Sequence, residues 1–305
     1  MDMNNEAEDR QAKDILKSVR NIELKCLKLS NSRMHGSYLS VFKGRGLEFT
    51  EIREYMSGDD VRAIDWNVTA RMGYPHIKEF VEERDICVYL LVDVSGSFDF
   101  GTQKAMKREV AAELCASVAY SALKNNDLVG MVLFSDRVEK FIKPAKGRKH
   151  MARLVHEILK IRPESRQTGL KEPLAFLSNV IKQRSIVFII SDFIDDTESY
   201  SKYLGCLAKE NDVVAIDLYD DRELEMPSVG LIELEDEETG EQMIVDTSDP
   251  EFISAFEENV VGNRKRIVSL MRKKRIDRLE VSTSCDWVSS LSGFFRLRSK
   301  RRSCA

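Results

Sequence analysis

Two uninterrupted apolar runs, Ile86 to Val92 and Ile186 to Ile190, constrain the fold of this 305-residue chain more than any other feature. Both are strand-length, and a continuous apolar run is what a strand covered on both faces requires. Around them, strand-like and helix-like segments alternate. A helix is predicted from Gln103 to Lys124, where Ala111, Ala112, Cys115, Ala116, Ala119 and Ala122 offer small side chains that let a helix lie close to a sheet. Further strands are predicted at Asp127 to Phe134, Val138 to Lys143, Val213 to Leu218 and Arg278 to Ser282. Further helices are predicted at Lys149 to Ile161, Leu170 to Lys182, Ser199 to Glu210 and Pro250 to Lys274. This alternation predicts an α/β domain over residues 84–285, with a mainly parallel sheet and helices on both faces.

The flanks follow other rules. Ile15, Val19, Ile22, Cys26 and Leu29 recur at spacings of four and three, which predicts an amphipathic helix within residues 8–31. It packs on its own domain or meets a partner helix. Residues 36–85 are rich in Gly, Arg and Asp, and predict irregular structure with a few short strands, so residues 1–83 read as a helical and irregular N-terminal region. Residues 224–246 interrupt the alternation with a predicted β-hairpin inserted at an edge, turning at Glu238 to Glu241. Residues 286–305 read as a short amphipathic segment with a basic, solvated end.

With 47 basic and 51 acidic residues the formal charge is −4, which gives nucleic acid or an anionic membrane no global attraction. No run approaches the roughly 20 apolar residues of a membrane-spanning helix. The polar, acidic start MDMNNEAEDRQAKD is unlike a signal peptide, so a cytoplasmic location is expected. Six scattered cysteines with no C-x-x-C pair read as reduced, mostly buried thiols.

Chemistry concentrates where the predicted strands end. Asp93-Val94-Ser95-Gly96-Ser97 begins as the first apolar run stops, and Asp192 follows the second run and its Ser191. Both groups therefore emerge at the carboxyl edge of the sheet, where open α/β folds place ligands. Thr168 lies in the turn-rich loop Arg166 to Leu170, from which a hydroxyl could reach over. Two carboxylates and three hydroxyls form an all-oxygen set suited to Mg²⁺ or Mn²⁺ and ill suited to zinc or copper. Such a cation would still favour an incoming anionic oxygen, such as an Asp or Glu side chain of a partner protein.

Asp93, Ser95, Ser97, Thr168 and Asp192 resemble, in order and in strand context, the metal-ion-dependent adhesion site of von Willebrand factor A domains. The resemblance implies a Rossmann-like fold. It implies that the two serines bind the metal directly, that Thr168 and Asp192 bind directly or through water, and that a partner's carboxylate completes the octahedron.

A wider resemblance covers most of the chain. Gly44 to Tyr55 (GRGLEFTEIREY), Gly58 to Trp66 (GDDVRAIDW), Ala70-Arg71, Lys78 to Glu83 (KEFVEE), and Asp221 to Leu224 through Gly240-Glu241 to Asp246-Thr247 are similar to the bacterial family called domain of unknown function fifty-eight. Its members carry an A-type domain and are commonly encoded beside MoxR-type AAA+ ATPases, which implies such an ATPase as partner. Many members have two membrane helices near the N-terminus, and this sequence shows none. Read without the family, Glu48, Arg53, Asp59, Asp60, Arg62, Asp65 and Arg71 around Trp66 form either a structural lattice of ion pairs or a docking surface.

Enzyme readings fit less well. A phosphatase of the haloacid dehalogenase type needs a second Asp where Ser95 stands. None of His35, His76, His150 and His156 lies beside a nucleophile-elbow motif, and no phosphate-cradling loop ending in Gly-Lys-Ser is present. A metal-dependent hydrolase built on Asp59, Asp60 and Asp65 would lack a basic, aromatic surface for nucleic acid. The expectation is therefore a non-enzymatic, metal-dependent protein-binding module, with a metal-independent scaffold docking through residues 36–85 as the alternative.

Overall fold

The computed structural model describes residues 17–22, 51–56, 59, 61, 64, 66–79, 86–102, 105–235, 240 and 242–303. Within them, β1 (Glu51–Glu54) pairs antiparallel with β2 (His76–Glu79), and α1 (Trp66–Met72) lies between the two in sequence. The main body then runs β3 (Cys87–Asp93), α2 (Lys107–Lys124), β4 (Leu128–Phe134), β5 (Val138–Ala145), α3 (Arg148–Lys160), α4 (Lys171–Val180), β6 (Ile186–Ser191), α5 (Thr197–Glu210) and β7 (Asp212–Tyr219). It ends with β8 (Leu231–Glu235), β9 (Gln242–Asp246), α6 (Pro250–Lys274), β10 (Asp277–Ser282) and α7 (Trp287–Ser303).

Six strands form one sheet in the order β10-β7-β6-β3-β4-β5, parallel except for β5. All seven residues of β3 and all six of β6 are buried, as their apolar runs require. One face of the sheet (Val88, Leu90, Phe188, Ile190) packs on α2, α3 and α7, and the other (Tyr89, Leu91, Val187, Ile189) packs on α4, α5 and α6. Helix α2 lies close to the sheet because Ala111, Ala112, Ala116, Ala119 and Ala122 are all buried against it. Strand order reverses beside β3: the chain goes from β3 to β4 on one side and returns to β6 on the other. The crevice outside the carboxyl ends of β3 and β6 is therefore the switch point of the sheet.

Residues 17–22 are helical, with Ile22 buried and Val19 packed on the core, so this part of the N-terminal helix rests on its own domain. The remainder of that predicted helix lies outside the described residues. The predicted hairpin is observed as β8–β9, which forms a two-stranded sheet of its own. Two expectations are corrected. Helix α1 was not expected in a Gly- and Asp-rich stretch. The C-terminal segment is a 17-residue helix, longer and better packed than the short amphipathic segment expected. Its Trp287, Leu291 and Phe295, at helical spacing, enter the core, while Arg298 is buried between Asp212 and Asp277. Those carboxylates neutralise Arg298, whereas Arg296, Lys300 and Arg301 are exposed, as the sequence suggested for the basic end. Among the cysteines, Cys87 and Cys115 are buried and free, but Cys206 and Cys285 are exposed.

The ring of Phe295 is fully buried and meets Phe188 of β6 edge to face, with centroids 6.4 Å apart. Phe295→Ala is therefore expected to destabilise the fold by about 3–5 kcal/mol, whereas Leu297→Ala, on the exposed side of α7, should change it by less than about 0.5 kcal/mol. Urea unfolding of the two variants checks the packed helix against a solvated tail.

Candidate functional site

Asp93 is the last residue of β3, and in register it lies beside Ser191, the last residue of β6. Its side chain is fully buried. The Ser95 amide donates to Asp93 Oδ1 at 3.0 Å, and the Ser191 hydroxyl donates to Asp93 Oδ2 at 2.8 Å. Asp93 thus clamps its own loop to the neighbouring strand. Ser191 Oγ also accepts from the Phe193 amide at 3.0 Å, which shapes the loop that carries Asp192. In that loop Phe193 has a left-handed backbone (φ 56°) although its ring is buried. For a bulky residue this conformation costs roughly 1–2 kcal/mol, offset by burial of the ring.

In front of Asp93 the other four predicted side chains meet. The Thr168 hydroxyl donates to Ser95 Oγ at 2.9 Å, Ser95 Oγ and Ser97 Oγ stand 3.2 Å apart, and the Ser97 hydroxyl donates to Asp192 Oδ2 at 2.9 Å. Thr168 reaches the others because its loop is tied down at both ends. The Gly96 amide donates to the Arg166 carbonyl at 2.9 Å, and the Leu170 amide donates to Asp195 Oδ2 at 3.0 Å. All five residues singled out from the sequence therefore converge on one crevice.

The spacing fits a small hard cation. Oxygens on neighbouring vertices of an octahedron of radius roughly 2.1 Å are about 3 Å apart, and these neighbours stand 2.9 to 3.2 Å apart. Among the described residues no group of three or more His, Cys, Asp or Glu could hold a metal. Any cation here would rest on the three hydroxyls and the Asp192 carboxylate, with Asp93 behind them, an all-oxygen set that suits hard cations over soft ones.

Sequence reasoning missed Ser191, which holds Asp93, and Lys107 with Glu223. Lys107, the first residue of α2, is fully buried, and its Nζ lies 3.0 Å from Asp192 Oδ2 and ion-pairs with Glu223. Burial alone would depress this amine, but the charges of Asp192 and Glu223 outweigh it and hold the pKa above its ordinary value. Ser191 could have been found from strand register once Asp93 was fixed. No local pattern pairs Lys107 with residues 85 and 116 positions away.

Of the N-terminal cluster, Glu48, Asp60, Arg62 and Asp65 lie outside the described residues, and Arg53 is described only in backbone. Asp59 Oδ2 accepts from the Met56 amide at 2.8 Å, and Trp66 and Arg71 are exposed.

Burial, and next the charge of Asp192, push the Asp93 carboxyl up to about 7; its hydrogen bonds from Ser95 and Ser191 act the other way. The folded chain then keeps a proton that the unfolded chain releases near the ordinary value of 3.8. Stability is accordingly lost as pH rises through the window between these values. Without divalent cations, Asp93→Asn should gain on the wild type by at least about 1 kcal/mol between about pH 5 and pH 8. Urea unfolding across that range measures the gap, and parallel curves would contradict it.

Comparison with known proteins places the chain among uncharacterized relatives. Uncharacterized proteins of Mycobacterium tuberculosis and Mycobacterium bovis are each 29% identical over 290 residues, covering 93% of this chain and 89% of theirs. Among solved structures, the conserved hypothetical protein BatB from Bacteroides thetaiotaomicron covers 70% of this chain and 99% of its own at 14% identity and a TM-score of 0.47. The pilus adhesin SpaC from Lactobacillus rhamnosus GG covers 72% of this chain and 30% of its own at 13% identity and a TM-score of 0.41. Scores this low carry no further weight here. The family described as "Protein of unknown function DUF58" matches residues 51–266, more than half of the sequence, and the chain belongs to that family.

Proposed function

We propose that the chain is a non-enzymatic, metal-dependent protein-binding module of the von Willebrand factor A type. The reading is carried by one observation: Thr168, Ser95, Ser97 and Asp192 form a chain of oxygens 2.9 to 3.2 Å apart at the switch point, backed by Asp93. Ser95, Ser97, Thr168 and Asp192 would hold a Mg²⁺ or Mn²⁺ ion, with Asp93 behind them. When bound, the ion supplies an open position for an anionic oxygen.

The protein's own residues supply the rest. Asp93 and Ser191 pin the first loop to β6, and the Gly96 and Leu170 amides fix the Thr168 loop, so the donors are arranged before a partner arrives. Such preorganisation lowers the ordering cost of association. Ile194 and Met106, both about half exposed, stand two residues from Asp192 and next to Lys107, and give the rim an apolar surface. A partner that presents an Asp or Glu flanked by apolar side chains fits this arrangement. A MoxR-type AAA+ ATPase, or its client, is the partner we favour on the family resemblance alone, and cytoplasmic assembly or maturation of protein complexes is the corresponding setting. Among the described residues no helix is long and apolar enough to cross a membrane.

A second reading has its own support. Met56, Val61, Trp66, Met72 and Tyr74 are each more than half exposed, and so much apolar surface within some twenty residues suits metal-independent docking through the N-terminal region.

Two measurements separate these readings. Calorimetric titration with Mg²⁺ should show one site in the wild type and none in Asp93→Ala. Capture of the cognate ATPase should fail in chelator and in Asp93→Ala; capture unchanged in both would retire the metal-dependent reading. Paired substitution Trp66→Ala and Met72→Ala should weaken capture at least about tenfold only if the N-terminal surface is the docking face.

A further inference from the structure

Lys107 is an unusual group to find where it stands. A cation at the first position of a helix faces the positive end of the helix dipole, and this one has no solvent exposure. Its Nζ is 3.0 Å from Asp192 Oδ2, is ion-paired with Glu223, and lies 5.7 Å from the centroid of the Phe98 ring. Asp192 Oδ2 is the same oxygen that accepts from Ser97 in the chain of donors. The ammonium therefore shares a ligand atom with any ion held there.

The opposite end of the pair leads away from the crevice. Glu223 closes a short turn, Asp221–Glu223, whose Asp220 amide donates to Glu223 Oε2 at 3.0 Å. Asp220 in turn accepts from the Thr102 hydroxyl and the Thr283 hydroxyl, each at 2.6 Å, and Asp221 accepts from Ser282 Oγ at 2.6 Å. This turn leads into the β8–β9 hairpin. There Leu231, Glu233, Glu235, Ile244 and Asp246 share an outer face, with Leu231 and Ile244 each 74% exposed.

We infer that Lys107 is a tethered cation that competes with the divalent ion proposed above for Asp192, so that ion binding shifts Lys107 onto Glu223 and is transmitted to the turn at the root of the hairpin. This rests on the metal-binding reading and adds its regulation. Two cations cannot both be held closely by one carboxylate oxygen without mutual repulsion, and the one free to move is on a flexible four-carbon stem. By reciprocity, whatever fixes the turn or the hairpin must alter the affinity for the ion.

The test is a comparison of Mg²⁺ affinity, by calorimetry, in the full chain and two variants. Lys107→Met should bind Mg²⁺ at least about tenfold more tightly, and Glu223→Gln several-fold more weakly, because Lys107 then depends on Asp192 alone. Loss of a nearby positive or negative charge gives these signs by itself, so the exchange pattern is what reads transmission to the turn. Amide exchange over 220–235 should change on adding Mg²⁺ to the wild type and not in Lys107→Met. Should Lys107→Met fail to fold, the Glu223→Gln titration and the wild-type exchange pattern decide the matter. A wild type that takes up no Mg²⁺ overturns the metal-binding reading and this inference with it. Wild-type Mg²⁺ binding left unchanged by both substitutions overturns this inference only.

Discussion

A carboxylate with no access to solvent, at the end of a fully buried strand, must be hydrogen-bonded or neutralised, because a bare buried charge is costly. Asp93 meets that requirement by drawing in the backbone of its own loop and the hydroxyl of Ser191 on the adjacent strand. The geometry of the crevice follows from this. With the loop after β3 and the end of β6 locked together, Ser95, Ser97 and Asp192 have little freedom left, and Thr168 completes the set from a third loop.

Around this centre the charges are layered. Asp192 stands between the chain of hydroxyls and Lys107, Lys107 between Asp192 and Glu223, and Glu223 on a turn bonded to the end of β10. Buried ion pairs of this kind are weak arguments for stability, since desolvation offsets much of the attraction. Their value here is positional. They connect a polar crevice to the β8–β9 hairpin, which stands apart from the main sheet, and they do so through side chains that can exchange partners without moving the strands.

Membership of a family without an established activity leaves the site as the ground for a functional reading. The bonds that join Thr168, Ser95, Ser97 and Asp192 run through hydroxyl and carboxylate oxygens, and that donor set is the ground on which we propose a cation-holding module.

The architecture was largely legible in the sequence because it is written in local periodicities. The apolar runs at 86–92 and 186–190, the alanine-rich face of α2 and the helix from Pro250 to Lys274 correspond to elements observed within a few residues of their predicted bounds. Asp93, Ser95, Ser97 and Asp192 were legible for a related reason: strand ends in a parallel sheet share one edge, so residues following two such strands are neighbours whatever separates them in the chain, whereas Thr168, on a loop between two helices, was singled out by the family resemblance. Packing and pairing between distant segments were not legible. Whether the basic C-terminal segment would dock depended on Asp212 and Asp277 waiting to neutralise Arg298, and whether Lys107 would be buried depended on Asp192 and Glu223. The sequence by itself determined the layers and the candidate donors, through periodicity and strand ends. Only the tertiary structure decided which buried charges face each other, because electrostatic pairing acts through space, and the partners of Lys107 and Arg298 lie on other elements, from 21 residues (Asp277) to 116 residues (Glu223) away in the chain.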